Sequence, residues 1–75
     1  MKIKLSNVRK IKIKDEYIKL DALLKYSAVV STGGEAKLLI SEGEVLVNSE
    51  KCYERGKKLR SGDVIRCLGE VMVIA

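Results

Sequence analysis

The sequence predicts an α+β fold, with two short helices set between segments of β-strand. Three observations carry that expectation. The first residues, KIKL and KIKIK, alternate cation and apolar side chain with period two. The middle carries apolar residues at three-and-four spacing, and one of its two stretches follows a helix-capping pattern. The remainder is a series of short apolar runs broken by turn residues. At 75 residues the chain is expected to form one small domain, with residues 1–14 a basic N-terminal strand segment and 15–75 the core. A domain this small buries only about 60% of the surface its unfolded chain exposes, which leaves little room for an enclosed catalytic cavity.

In chain order, the alternation in KIKL and KIKIK points Ile3, Leu5, Ile11 and Ile13 one way and the lysines the other, giving half-buried strands with a basic outer face. Ile18, Leu20, Leu23, Leu24, Tyr26 and Ala28 then fall near helical spacing and predict a helix over about 20–28, too short to stand without tertiary support. Thr32 followed by Glu35 is a capping box ahead of Ala36, Leu39 and Ile40, so a second helix begins at Gly33. Gly43 sits where helices end, and EVLVN continues as a strand. Turns at Asn48-Ser49-Glu50, Ser61-Gly62-Asp63 and Leu68-Gly69-Glu70 separate VLV, the basic stretch ERGKKLR, VIRC and VMVI. The chain has no proline, and no repeat or low-complexity tract marks a linker.

The stretch STGGEAK opens the second helix with two of the residues that least favour helix. In the first turn the glycine penalty is reduced, because those amides have no intrahelical acceptor. The bare backbone of Gly33 and Gly34, beside Ser31 and Thr32, admits an anion to amides at the positive end of the helix, with Lys37 one turn on. The alternative is a tight turn between helices in which glycine only avoids a clash. The spacing of a nucleotide-binding P-loop is absent.

Charge is unevenly placed along the chain. Residues 1–14 carry six cations and no acid, residues 15–49 are net acidic, and residues 50–66 hold six cations against Glu50, Glu54 and Asp63, for a net charge of +5 overall. Two basic blocks flanking a helical middle suit a phosphate-backbone partner; a solubilising surface has the same composition. Cys52 and Cys67 have no CxxC spacing and there is no His, so two reduced thiols in or near strands are expected, with no metal, cofactor or disulfide. Asp15, Glu16, Asp21, Glu35, Glu42 and Glu44 form no recognisable acid/base pair, so no enzyme is expected. No bilayer-length apolar run and no signal-peptide pattern are present, so a cytoplasmic protein is expected.

Leu20-Asp21, EAKLLISEGEVLVN over 35–48 and GKKLRSGD over 56–63 together resemble the S4 RNA-binding domain, in particular its free-standing bacterial form. The resemblance covers 18–66 and extends towards Ala75. It implies an α-L motif, two helices packed on a small, mostly antiparallel curved sheet, with RNA along the second helix and the basic hairpin after it. It further implies RNA-facing positions at Lys19, Lys37, Asn48, Arg55, Lys57, Lys58 and Arg60, beside the Ser31–Gly34 segment, with Leu59 turned inward. The chain departs from the pattern where many S4 domains have Ser-Arg before the second helix and this one has glycine, and again at Ser49, Cys52 and Glu54.

Double-helical RNA offers phosphates, 2′-hydroxyls and a shallow minor groove, which a rigid basic ridge can grip. The stacking platform of single-strand binders is not evident, since Tyr17, Tyr26 and Tyr53 are the only aromatic residues. The expected partner is therefore structured RNA, with ribosomal RNA implied by the resemblance. The expected role is in ribosome assembly or translation, as a monomer, with ribosomal proteins as further partners. The alternative is an adaptor that docks on a ribosomal or assembly protein.

Overall fold

The computed structural model describes residues 8–75, and the strand expected at KIKL, with Ile3 and Leu5, lies outside the described residues. Along the chain come β1 (Val8–Ile11), β2 (Ile18–Lys19), α1 (Leu20–Tyr26), α2 (Gly33–Ser41), β3 (Val45–Val47), β4 (Glu50–Lys51), β5 (Lys58–Leu59), β6 (Val64–Cys67) and β7 (Glu70–Ile74). The class is α+β, as the patterns predict. The strands do not all join one sheet. Five form a sheet in the order β1-β7-β6-β3-β4, with β1 parallel to β7 and the other pairs antiparallel, while β2 and β5 form a separate antiparallel ribbon.

Period two decides which face of the large sheet is buried. Val47, Ile65 and Met72 are cross-strand partners on β3, β6 and β7, and all three are buried. Leu20, Leu23 and Leu24 of α1 and Ala36 and Ile40 of α2 join the same cluster, with Ile11, Val45, Cys67 and Ile74 from the sheet. Leu59 reaches it from β5 and is fully buried, so the inward orientation expected of it holds. A buried leucine cut back to alanine costs about 2–5 kcal/mol, a large part of the stability of so small a domain. Burial holds the Cys67 thiol above its ordinary range, with Glu44 adding to the effect, and Cys52 and Cys67 are both free.

Several boundaries differ from the sequence patterns, each for a local reason. The first helix stops at Tyr26 because Ala28 turns into the left-handed region (φ 63°), where the Val29 and Val30 amides bond back to the Leu24 carbonyl. Ala28 and Tyr26 are consequently exposed, and Ile18 belongs to β2 instead of the helical stripe. The strand over KIKIK ends at Ile11, whose partner Ile74 is the last residue of β7 in the ladder. Gly43 follows α2 with φ 76°, as its position predicts. Asn48 and Ser49 both have positive φ (50° and 74°), the backbone of a tight two-residue hairpin turn between β3 and β4.

That hairpin turn is tied to the one before β6. The Asn48 Nδ2 donates to Asp63 Oδ1 (3.1 Å) and its Oδ1 accepts from the Val64 amide (2.9 Å), while Asp63 Oδ2 accepts from the Arg60 amide (2.8 Å). The Arg60 amide holds the Asp63 carboxyl below its ordinary value of 3.8, helped by Asn48, Lys57 and Arg60 against the opposing effect of burial. A carboxyl whose folded pKa is depressed contributes stability that is complete above its unfolded value and is lost as pH falls through the folded one. Asp63→Asn should therefore be less stable than wild type at neutral pH. In denaturant melts the gap should close as pH is lowered below 3.8. A gap that stays constant into acid would show that the charge of Asp63 is not what secures this junction.

Candidate nucleic-acid interface

The site begins with two short segments of opposite direction, Tyr17-Ile18-Lys19 and Lys58-Leu59-Arg60. Ile18 pairs with Leu59 and Lys19 with Lys58. Since Leu59 is buried and Ile18 packs against the core, period two turns Lys19 and Lys58 outward on one face. Tyr17 and Arg60 follow the same alternation. The Lys58 Nζ lies 4.9 Å from the centroid of the Tyr17 ring and the Arg60 Cζ 5.6 Å from it. Lys19 directly opposite Lys58 is a like-charge cross-strand pair, which repels unless an anion sits between or above it.

The chain between β4 and β5 is not the continuous hairpin expected for Arg55–Arg60. Residues 52–57 form a loop with a turn closed by the Lys57 amide on the Glu54 carbonyl (3.2 Å), and only Lys58 and Leu59 are in strand. This loop supplies what α1 lacks. Lys19 provides no side-chain cap, and instead the Leu20 amide donates to the Lys57 carbonyl (2.9 Å) and the Asp21 amide to the Arg55 carbonyl (3.1 Å). The backbone beneath Arg55 and Lys57 is thereby fixed, while both side chains remain exposed.

At the start of α2 the capping box is complete. Thr32 Oγ1 accepts from the Glu35 amide (3.1 Å), and Glu35 Oε1 accepts from the amides of Ser31 (2.7 Å) and Thr32 (3.2 Å). The Ser31 and Thr32 amides are thus committed to Glu35, leaving those of Gly33 and Gly34 without a hydrogen bond among the described residues. Neither glycine is demanded by packing. A Cβ at Gly33 would meet nothing within 4 Å, one at Gly34 would make an ordinary 3.8 Å contact with Thr32 Oγ1, and neither has positive φ. Lys37 is exposed on the same helix.

Asn48 is the predicted site residue whose side chain is most occupied by the scaffold, through its bonds to Asp63 and Val64. The side chains of Lys19, Lys37, Arg55, Lys57, Lys58 and Arg60 differ in forming no ion pair: among the described residues the one ion pair is Arg9 with Glu70 (3.8 Å). Tyr17, beside Lys58 and Arg60, is a residue of this candidate surface that sequence patterns missed. Its signal, the alternation shared by YIK and KLR, becomes visible only once β2 is known to pair with β5. Among the described residues no His/Cys/Asp/Glu group is placed to hold a metal, and no helix is long and apolar enough to cross a membrane.

The model of the S4 domain family matches residues 11–75. The Bacillus subtilis (strain 168) protein named "Probable ribosome maturation protein RlbA" is 48% identical to this chain over 59 residues, covering 79% of this chain and 83% of that one. The family match takes in the end of β1, both helices, the β2–β5 ribbon and the loop that caps α1. On the extent of these two similarities, the chain belongs to the S4 domain family.

Proposed function

We propose that the chain is a non-enzymatic, cytoplasmic RNA-binding protein that grips structured RNA, ribosomal RNA in particular, and acts in ribosome maturation or translation. The observation that carries this reading is the set of cations on a fixed backbone whose side chains form no ion pair among the described residues: Lys19, Arg55, Lys57, Lys58 and Arg60 around the ribbon and loop, with Lys37 on α2. A solubilising surface has no need of such fixation, whereas phosphate positioning does. Family membership and the name of the Bacillus relative point the same way. In this reading the two helices and the ribbon are the α-L motif, the whole chain acts as one monomeric domain, and the Gly33 and Gly34 amides supplement the side chains at a phosphate. Asn48 serves the interface by holding its turn in place.

Crosslinking in cells, with identification of what is bound, tests the reading: recovery of RNA supports it, and recovery of protein without RNA replaces it with an adaptor that docks on a ribosomal or assembly protein.

If the cations neutralise phosphates, log K for structured RNA falls linearly with log salt, by about 0.7–0.9 for each phosphate neutralised. Replacing Lys57 and Lys58 together with alanine should weaken many RNAs to a similar degree and flatten that slope by about one unit for each phosphate no longer neutralised. An unchanged affinity and slope would make these residues solubility charges.

Gly34→Ala isolates the backbone contribution. Because nothing in the packing resists a Cβ there, the variant should melt at the wild-type temperature or slightly above, since alanine is the better helix former. Its affinity for RNA should fall, alongside that of Lys37→Ala. Wild-type affinity in a well-folded Gly34→Ala protein would remove the phosphate from the helix start.

A further inference from the structure

Tyr17 lies outside the RNA-facing positions that the family resemblance implies, yet two cations stand against its ring, Lys58 at 4.9 Å and Arg60 at 5.6 Å. Lys19 stands opposite Lys58 across the ribbon, so three positive charges share one small face. Asp15 and Glu16 directly precede Tyr17 and could each have neutralised a neighbour, but neither forms an ion pair among the described residues. A carboxylate would hold these cations by cancelling them. An aromatic face attracts them through its quadrupole and leaves their charge intact for a ligand. Beside the same ring an open depression of about 220 Å³ is lined by Lys12, Lys14 and Tyr26, with Ile13, Asp15 and Ile18, so the ring borders a concave surface as well as the exposed ribbon.

We propose that Tyr17 is a positioning residue that gathers Lys58 and Arg60 beside Lys19 into one phosphate-binding site for the RNA backbone. This rests on the RNA-binding reading above and deepens it. The ring aligns Lys58 and Arg60 before binding, so less side-chain freedom is lost when the phosphate arrives. Lys19 is brought within reach by the ladder itself, and the phosphate relieves the repulsion between Lys19 and Lys58. The hydroxyl of Tyr17 has no part in this, since the attraction comes from the ring face.

The test is a pyrophosphate titration of the full chain followed by NMR, on wild type, Tyr17→Phe and Tyr17→Leu, with a structured RNA titrated in parallel. In wild type without ligand, the ε-methylene protons of Lys58 should be shifted upfield by the ring. Pyrophosphate should then move the side-chain signals of Lys19, Lys58 and Arg60 together. Tyr17→Phe should bind within about twofold of wild type and Tyr17→Leu about fivefold or more weakly. Equal binding by Tyr17→Leu, absence of the upfield shift, or pyrophosphate binding elsewhere would overturn the proposal. RNA bound without perturbing the three side chains would overturn it while leaving the RNA-binding reading in place. Failure of wild type to bind RNA would count against that reading, and the pyrophosphate arm would still decide the role of Tyr17.

Discussion

Two hydrogen bonds at the start of α1 hold the fold and the candidate site together. A seven-residue helix has too few internal bonds to be stable alone, and its first amides have no acceptor within the helix. The carbonyls of Lys57 and Arg55 receive the Leu20 and Asp21 amides, and the β2–β5 ladder extends the same junction through Ile18 and Leu59. The loop caps the helix, and the helix in turn immobilises the loop. Leu59, anchored in the core, sets the rotation of the segment, so its neighbours Lys58 and Arg60 must face solvent.

Charge then becomes informative because its backbone is fixed. Isolated exposed cations contribute little to stability, and surface ion pairs seldom contribute more. Here the acids are used locally: Glu35 closes its capping box, Asp63 ties two turns together, and Glu70 meets Arg9. The cations of the ribbon, loop and second helix form no side-chain ion pair among the described residues, and two of them are arranged around an aromatic ring. Such an arrangement concentrates positive potential on a fixed backbone, which suits the phosphate-bearing partner proposed for it.

Much of this was legible in the sequence because it follows from short-range rules. The capping box at Thr32 and Glu35, the helix start at Gly33, the stop at Gly43 and the three turns all depend on residues within a few positions of one another. What local patterns could not provide was long-range pairing. The ribbon joins residues about forty apart through only two pairs, so ERGKKLR reads as part of a hairpin until its partner is known. The same gap hid Tyr17, and it concealed that the amide of Asn48 is engaged with Asp63 and Val64. Ala28 was misplaced for a different reason: alanine seldom adopts positive φ, so nothing in its identity announces the end of α1.

The loop bearing Arg55 and Lys57 is locked onto the first turn of α1. Native-state hydrogen exchange at the Leu20 and Asp21 amides tests it most directly, because neither amide has an acceptor within its own helix and protection there reports the tertiary bond alone. Protection at both should be comparable to that of core amides such as Met72, which is fully buried in β7. Rapid exchange at both positions in an otherwise protected core would mean that the loop is not held, and that the cations are not presented on a fixed surface.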